Sequence, residues 1–217
     1  MKSRIDHAYH ASQNIYDDVL TQKGILSRAY IRFFWQGTDD TAIAQRMLSW
    51  IPEHFGGRLL DVPVGTAVFT AKAWRSLDNA CITCLDYSED MLKQARERLF
   101  GLQHVTCVQG DVGHLPFADK TFDSVFSMNG FHAFPDKEAA FSETHRVLKP
   151  GGSFIACFYI RGECRRTDWL VRYVLAPKGW FTPPFHTKDE LKGILDKIYQ
   201  EVQLYTDGSM VAIKCTK

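Results

Sequence analysis

Two acidic side chains and a short glycine turn stand where they could bind a nucleotide-like ligand. The sequence LLDVPVGTA occupies residues 59–67, so Asp61 ends a buried apolar run and Gly65 follows in the turn. A residue without a side chain lets a ligand approach the backbone, and the N–H groups that open a following helix attract polar ligands. Asp86 ends the next apolar run, where a carboxylate can accept hydrogen bonds from both ribose hydroxyls. Together these features indicate a site for a cofactor that contains a nucleoside.

Alternating strand and helix patterns position these residues. Apolar runs predict strands at residues 58–62, 81–85, 105–108, 122–128 and 153–160. A terminal hairpin is predicted by an Asp-Gly turn between residues 201–205 and 210–215. The fold class is therefore α/β, with a doubly wound, mostly parallel seven-stranded sheet and a terminal antiparallel hairpin. Ligands bind beyond the carboxyl ends of such strands, which here are followed by residues 61–67, 86–88, 110–112 and 127–134.

Composition excludes several classes of protein. The 217 residues carry 26 basic and 25 acidic side chains, so no overall field attracts nucleic acid. The sequence contains no apolar run of 18 residues and opens without the apolar stretch of a signal peptide. We therefore expect a cytoplasmic protein whose six cysteines are reduced. Cys81 and Cys84 lie three apart on a predicted strand, on opposite faces, so they cannot share a metal, and we expect none.

Four motifs follow one another between residues 58 and 160. They are LLDVPVGT at 59–66, LDYSEDML at 85–92, GDVGHLPF at 110–117 and a broken motif of FDSV, HAFPD and RVLKPGG from 122 to 152. In this order they resemble the class I S-adenosylmethionine-dependent methyltransferases, close to the quinone-methylase-like branch that acts on small molecules. The resemblance implies a Rossmann-like fold, S-adenosylmethionine as cofactor, and methyl transfer to a small acceptor that is hydrophobic or lipid-like.

The same resemblance assigns roles to residues after the first two strands. Asp61 and Gly65 would hold the methionine end of the cofactor. Asp86 would bind its ribose, and Tyr87 would lie against its adenine. For Tyr87, packing in the core is the alternative.

Residues after the next two strands would complete the cofactor site. Asp111 would accept a hydrogen bond from the adenine amino group, with the Val112 N–H beside it. Ser127 and Met128 would line the sulfonium and methyl end. Asp111 has a structural alternative, because aspartate also caps turns.

The glycine turn departs from the family pattern at two positions. Pro63 and Ala67 stand where the family has its first and third glycines. Proline fixes φ at about −65°, and alanine adds a methyl group at a close contact. Two alternatives therefore stay open: a methyltransferase-like fold that binds a ligand without catalysis, and a nicotinamide-dependent oxidoreductase. The position of Asp61 and the terminal hairpin speak against the second.

Methyl transfer requires few catalytic side chains, because alignment of nucleophile, methyl and sulfur supplies much of the rate. A base is needed only when the acceptor must lose a proton. His132, just past the fourth strand, is the candidate base, and packing within residues 131–134 is the alternative. His10, Tyr16 and His186 are weaker candidates from segments that cover the site.

Aromatic residues concentrate in two segments outside the predicted sheet. In a single domain of residues 1–217, we predict an N-terminal helical cap at 1–37 and a substrate-covering insert at 161–186. Their aromatic content suggests an acceptor with an apolar or planar surface. The insert also carries four arginines at 161, 165, 166 and 172. These favour a solvated helix face first, a small anionic acceptor second and an RNA contact a distant third, and contact with anionic lipid headgroups is a further alternative. The sequence does not indicate an oligomeric state.

Overall fold

A computed structural model describes Trp35 and residues 39–217. Within these residues seven strands form one sheet in the order β3-β2-β1-β4-β5-β7-β6. The strands are β1 (Arg58–Asp61), β2 (Cys81–Asp86), β3 (Val105–Gln109), β4 (Phe122–Met128), β5 (Leu148–Tyr159), β6 (Glu201–Asp207) and β7 (Met210–Thr216). The first five are parallel, whereas β7 pairs antiparallel with both β5 and β6. The predicted sheet and terminal hairpin are confirmed.

Helices cover both faces of this sheet. The described helices are α1 (Asp40–Ser49), α2 (Ala71–Ser76), α3 (Glu89–Arg98), α4 (Lys137–Val147), α5 (Arg165–Leu170) with a π-helical turn (Val171–Leu175), and α6 (Lys188–Leu195). Apolar residues of α1, α2, α3 and α5 pack in one core cluster, and those of α4 and α6 pack in another. The fold is therefore doubly wound.

Polar side chains cap the starts of two helices. The Ser88 hydroxyl accepts a hydrogen bond from the Met91 N–H at the start of α3. At α6, Thr187 and Glu190 form a capping box in which each side chain accepts from the other's backbone N–H. These caps satisfy N–H groups that have no partner within the helix.

The strand order reverses between β1 and β4. Asp61 at the end of β1 lies beside Cys84 of β2 on one side and Phe126 of β4 on the other. In doubly wound sheets this reversal opens a crevice at the carboxyl ends of the strands. The ends of β1, β2 and β4 therefore position the site.

The boundaries of two elements differ from the prediction. Helix α2 begins at Ala71 rather than directly after the glycine turn, with turns between. Strand β5 begins at Leu148 rather than at residue 153, so it includes the Pro-Gly-Gly segment. Its pairing with β4 shifts register between Phe122 and Ser124, so the strand absorbs that segment as an irregularity. The predicted cap at residues 1–37 lies outside the described residues, apart from Trp35.

Candidate functional site

A cavity of about 320 Å³ opens at the carboxyl ends of β1, β2 and β4. This volume lies within the range of about 300–1,000 Å³ typical of small-molecule sites. The predicted site residues around it are Asp61, Pro63, Gly65, Asp86, Tyr87, Asp111, Val112 and Met128. The structure thus brings most of the predicted site residues together.

Asp86 connects the end of β2 with the glycine turn after β1. One carboxylate oxygen accepts a hydrogen bond from the Gly65 N–H at 2.8 Å, and the other accepts from the Ser88 N–H at 2.9 Å. Burial raises the pKa of Asp86 to about 6, although these backbone donors oppose the shift. Because a carboxylate has about four lone-pair sites, both oxygens can still accept from a ligand hydroxyl.

Gly65 has the left-handed backbone conformation that favours glycine. Its φ is +54°, and a Cβ built on it would meet no atom within 4 Å. Gly65 also lines the cavity. A ligand can therefore approach its backbone closely, as the glycine in the turn predicts.

Asp61 is a buried carboxylate at the cavity. It is 1% exposed, and its Oδ2 accepts a hydrogen bond from the Trp74 indole N–H at 2.8 Å. Burial, with a smaller contribution from the charge of nearby Asp86, raises the pKa of Asp61 to about 7, although the hydrogen bond from Trp74 opposes the shift. A cation bound in the cavity beside Asp61 would favour its charged form and lower this pKa.

Ala67 and Pro63, which replace two glycines of the family pattern, have different surroundings. Ala67 has a φ of +59°, and only 1% of it is exposed. Pro63 lines the cavity, and its ring lies against Gly130, where a Cβ would come within 2.3 Å of the proline Cδ. The room for the Pro63 ring therefore comes from the absence of a side chain at Gly130.

Asp111 and Tyr87 lie at the exposed rim of the cavity. The Asp111 Oδ1 accepts a hydrogen bond from the Gly113 N–H at 2.9 Å, so Asp111 does cap a turn as well as line the cavity. Tyr87 is partly exposed, and its backbone carbonyl accepts from the Gln109 amide at 3.1 Å. Beside them Val112 is buried. A ligand group at this rim would meet the Tyr87 ring and the apolar Val112 side chain.

Ser127 does not line the cavity, contrary to the prediction. It is fully buried in β4, and its hydroxyl has no hydrogen-bond partner there. Met128, the next residue, does line the cavity. Successive side chains of a strand point to opposite faces, so Ser127 and Met128 cannot both face the same ligand.

Asn129 is a cavity residue that the sequence analysis missed. Its φ is +55°, and its side-chain amide donates to the Asp40 carboxylate at 3.3 Å and accepts from the Cys157 thiol at 3.6 Å. Burial raises the pKa of Asp40 to about 6. Asparagine tolerates left-handed backbone better than most residues, which is the signal that could have identified this strand-end position.

His132 is packed beneath the cavity wall rather than facing it. Its ring stacks on Phe181 with centroids 4.1 Å apart, and its Nδ1 faces the Tyr159 N–H at 3.4 Å. Burial lowers the pKa of His132 to about 3, so the ring is neutral. The structure favours the packing alternative over the catalytic prediction. Among the other candidates, His186 is outside the cavity wall, and residues 10 and 16 lie outside the described residues.

Other features of the described residues concern metals, thiols and membranes. In the part of the chain that the structure describes, no group of three His, Cys, Asp or Glu side chains is placed to hold a metal ion. All six cysteines are free thiols, with Cys81 exposed and Cys84 buried on opposite sides of β2. Across residues 39–217 there is no helix with the length and apolar character needed to cross a membrane.

Comparison with known proteins identifies the central part of the chain. Residues 60–156 match the family model described as a methyltransferase domain. The chain is 32% identical over 160 residues to 2-methyl-6-phytyl-1,4-hydroquinone methyltransferase 1, chloroplastic, of Oryza sativa subsp. japonica, covering 69% of this chain and 47% of that protein. It is 39% identical over 112 residues to demethylmenaquinone methyltransferase of Staphylococcus epidermidis, covering 51% of this chain and 46% of that protein. The chain thus spans about half the length of these relatives.

A solved structure shows the same fold over nearly the whole chain. The protein is a Thermotoga maritima SAM-dependent methyltransferase described as a possible histamine N-methyltransferase. It superposes with a TM-score of 0.71 at 22% identity, covering 98% of this chain and 99% of the other. At this identity the likeness supports the fold alone.

Proposed function

Since the chain belongs, through residues 60–156, to the class I S-adenosylmethionine-dependent methyltransferases, we propose that it methylates a planar, apolar acceptor of the hydroquinone class. The observation that carries this proposal is the cavity at the switch of strand order, where Asp86 binds the Gly65 N–H and Asp61 lies buried alongside. The names of the two relatives, which both act on quinone-related compounds, support the acceptor class.

The residues around the cavity fit S-adenosylmethionine. Asp86 would accept the ribose hydroxyls while it holds the turn, and Tyr87 and Val112 would flank the adenine. Asp61 would bind the methionine ammonium group, because a positive charge there compensates a carboxylate that burial otherwise disfavours. When bound, the cofactor supplies an electrophilic methyl group on a positively charged sulfur.

The cavity wall beyond Met128 supports an apolar acceptor. Its apolar lining includes Val68, Phe69 and residues 133–135. Aromatic and aliphatic walls exclude water and bind flat rings, which aligns an acceptor for displacement at carbon.

The polar group placed to orient the acceptor is Asn129. Its amide is held by Asp40 on one side and by the Cys157 thiol on the other, yet Asn129 still lines the cavity. A second N–H of that amide can donate to an acceptor hydroxyl. His132 takes no part in this arrangement, because it is buried beneath the wall.

Calorimetry and a transfer assay test the proposal together. We expect S-adenosylmethionine and its demethylated product to bind with micromolar affinity and NAD not to bind. With methyl-labelled cofactor, we expect label in a prenylated hydroquinone and none in an aliphatic carboxylic acid of similar size. Absence of cofactor binding would contradict the function as a whole, whereas label in the carboxylic acid alone would contradict the acceptor class.

Two further expectations belong to this proposal. The six free thiols support a reducing, cytoplasmic location for the protein. The insert at residues 161–186 is proposed to cover the acceptor, because its Thr182 N–H donates to the His132 carbonyl at 2.8 Å, next to the wall residues 133–135.

A further inference from the structure

The helical segment after β5 carries two large aromatic side chains on its outer surface. Trp169 is 54% exposed and Tyr173 is 58% exposed, and their ring centroids lie 5.8 Å apart. They stand four residues apart, so they share one side of the helix. The opposite side, with Leu170, Val171 and Leu175, is buried in the core. The segment is therefore anchored by its inner side while exposing a Trp-Tyr pair on its outer side.

Basic side chains surround this pair. Arg165, Arg166 and Arg172 are exposed, and the Arg172 guanidinium lies 5.4 Å from the centre of the Tyr173 ring. We call the outer surface formed by Arg165, Arg166, Trp169, Arg172 and Tyr173 the insert face.

The acid within this helix does not neutralise the insert face. Asp168 points inward, where its carboxylate accepts hydrogen bonds from the Tyr159 hydroxyl at 2.6 Å and the Gly162 N–H at 3.0 Å. Glu163, just before the helix, is the exposed acid nearest in sequence. Among the described residues of this segment, Arg165 and Arg172 stand against this one exposed carboxylate, so the insert face is positive, although the whole chain carries a formal net charge of only +1.

The insert face lies at the same edge of the sheet as the cavity. Strands β4 and β5 are parallel with Met128 beside Cys157, so the segment after β5 starts where the cavity opens. The chain then returns to the cavity wall, where the Lys137 ammonium donates to the carbonyls of both Phe134 and Thr182. The insert face is therefore carried by a segment that is tied directly to the wall of the site.

One kind of binding partner explains both the positive charge and the exposed aromatic pair of the insert face. A merely solvated face would need the arginines but not an exposed Trp beside an exposed Tyr. Trp and Tyr prefer the boundary between water and lipid, and each Lys or Arg near an anionic surface adds attraction. Single-stranded RNA also stacks on aromatic rings, but its binding sites are grooves that follow the strand, whereas this face is the outer side of one helix.

We propose that the insert face docks the protein on the surface of an anionic lipid bilayer. Trp169 and Tyr173 would enter the boundary region, and the arginines would contact headgroup phosphates. The proposal rests on the proposed function only for its purpose, which is to bring the cavity to an apolar acceptor dissolved in the bilayer. Vesicle binding itself requires no methyl transfer, so the two proposals can fail separately.

Sedimentation with vesicles tests the insert face directly. The full chain is mixed with vesicles of phosphatidylcholine alone and of phosphatidylcholine with phosphatidylglycerol. We expect at least about tenfold tighter binding to the anionic vesicles, decreasing with added salt. Replacing two arginines (Arg165→Gln with Arg172→Gln) should weaken that binding by about 30-fold, from about fivefold for each charge. The pair Trp169→Ala with Tyr173→Ala should also weaken it, and it should do so at high salt as well.

Matched controls come from another part of the surface. Phe100 is 86% exposed and Lys93 is exposed, both at α3 or its end. Phe100→Ala with Lys93→Gln should leave vesicle binding unchanged, and thermal melting checks that every variant is folded. Equal binding to both kinds of vesicle, binding that survives both insert variants, or binding to polyuridine in place of vesicles would each overturn the proposal. Titration with S-adenosylmethionine in parallel separates these outcomes from a failure of the proposed function.

Discussion

At pH 8, replacement of Asp61 by Asn should raise the stability of the fold and weaken ligand binding. Burial raises the pKa of Asp61 to about 7 from its usual value of 3.8. The folded chain therefore keeps a proton on Asp61 at pH values where the unfolded chain has lost it. Protonation of Asp61 therefore adds to the free energy of unfolding. This contribution is fully present below about pH 4 and is lost as the pH rises through about 7.

The size of the effect follows from this pKa difference. About three pKa units, at about 1.4 kcal/mol each, correspond to about 4 kcal/mol lost by the wild type between pH 4 and pH 8. Asparagine does not ionise, and its side-chain oxygen can still accept from the Trp74 indole. Its extra N–H₂ group needs an acceptor, and burying it unpaired costs about 1–3 kcal/mol at every pH. We therefore expect Asp61→Asn to be less stable than wild type at pH 4 and more stable by about 1–3 kcal/mol at pH 8.

Cofactor binding should move the other way. A hydrogen bond between charged groups is worth about 1.5–3 kcal/mol, so loss of the Asp61 charge should weaken S-adenosylmethionine binding by about 10- to 150-fold at pH 8. Wild-type affinity should also rise between pH 6 and pH 8, as Asp61 ionises, and the affinity of the variant should not.

Denaturant unfolding across pH 4–8 and calorimetry at pH 6 and 8 measure both effects. Asp78→Asn, at an exposed position just beyond α2, serves as the control and should change neither. A stability difference between Asp61→Asn and wild type that stays constant with pH would refute the assignment of a buried carboxyl group with a raised pKa. An unchanged affinity in the folded variant would refute the contact with the cofactor.

Substitutions at Asp86, Ala67 and Gly130 test the turn around the cavity. Asp86→Ala removes the acceptor of two backbone N–H groups and should lower the free energy of unfolding by about 1–3 kcal/mol. Asp86→Asn should lower it by less. For both variants, calorimetry should show cofactor binding that is at least about tenfold weaker. Ala67→Gly relieves the strain of a left-handed alanine, about 1–2 kcal/mol, but removes a buried methyl group worth about 0.8 kcal/mol. Denaturant unfolding should therefore show wild-type or slightly higher stability, and calorimetry should show equal or tighter cofactor binding. Gly130→Ala should destabilise the fold by about 1–3 kcal/mol, because its Cβ would overlap the Pro63 ring, and melting of the double variant with Pro63→Gly should show partial recovery.

The sheet could be predicted from the sequence because its signals are local. Strand β4 has the predicted bounds, Phe122–Met128, since a buried apolar run flanked by polar turns has few alternative conformations. Strand β5 could not be bounded in this way. Its Pro-Gly-Gly segment predicts a turn by itself, but Leu148 before it pairs with β4, and Ser153 after it pairs with β4 and β7, so the strand continues through it. In this segment, strand pairing with residues distant in sequence overrides the local turn propensity.

The site could be predicted as far as strand ends determine it. Asp61 and Asp86 each close a strand, so the sheet alone brings them to one edge. Beyond the strand ends, the direction of a side chain depends on backbone angles that have weak sequence signals. Asn129 is turned to the cavity by a φ of +55°, and His132 is turned away from it by stacking on Phe181, a residue far along the chain.

The altered glycine turn illustrates how a site tolerates replacement of residues that its family usually keeps small. Pro63 brings a ring to the turn, and Gly130 across the crevice supplies the space that this ring needs. The Pro63 ring therefore occupies space that a side chain at residue 130 would otherwise take. Ala67 places its methyl group in the core and not toward the ligand, while Gly65 keeps the left-handed conformation and the hydrogen bond to Asp86. The groups that would bind a cofactor are thus retained, because the substitutions fall at positions where the surrounding packing compensates them.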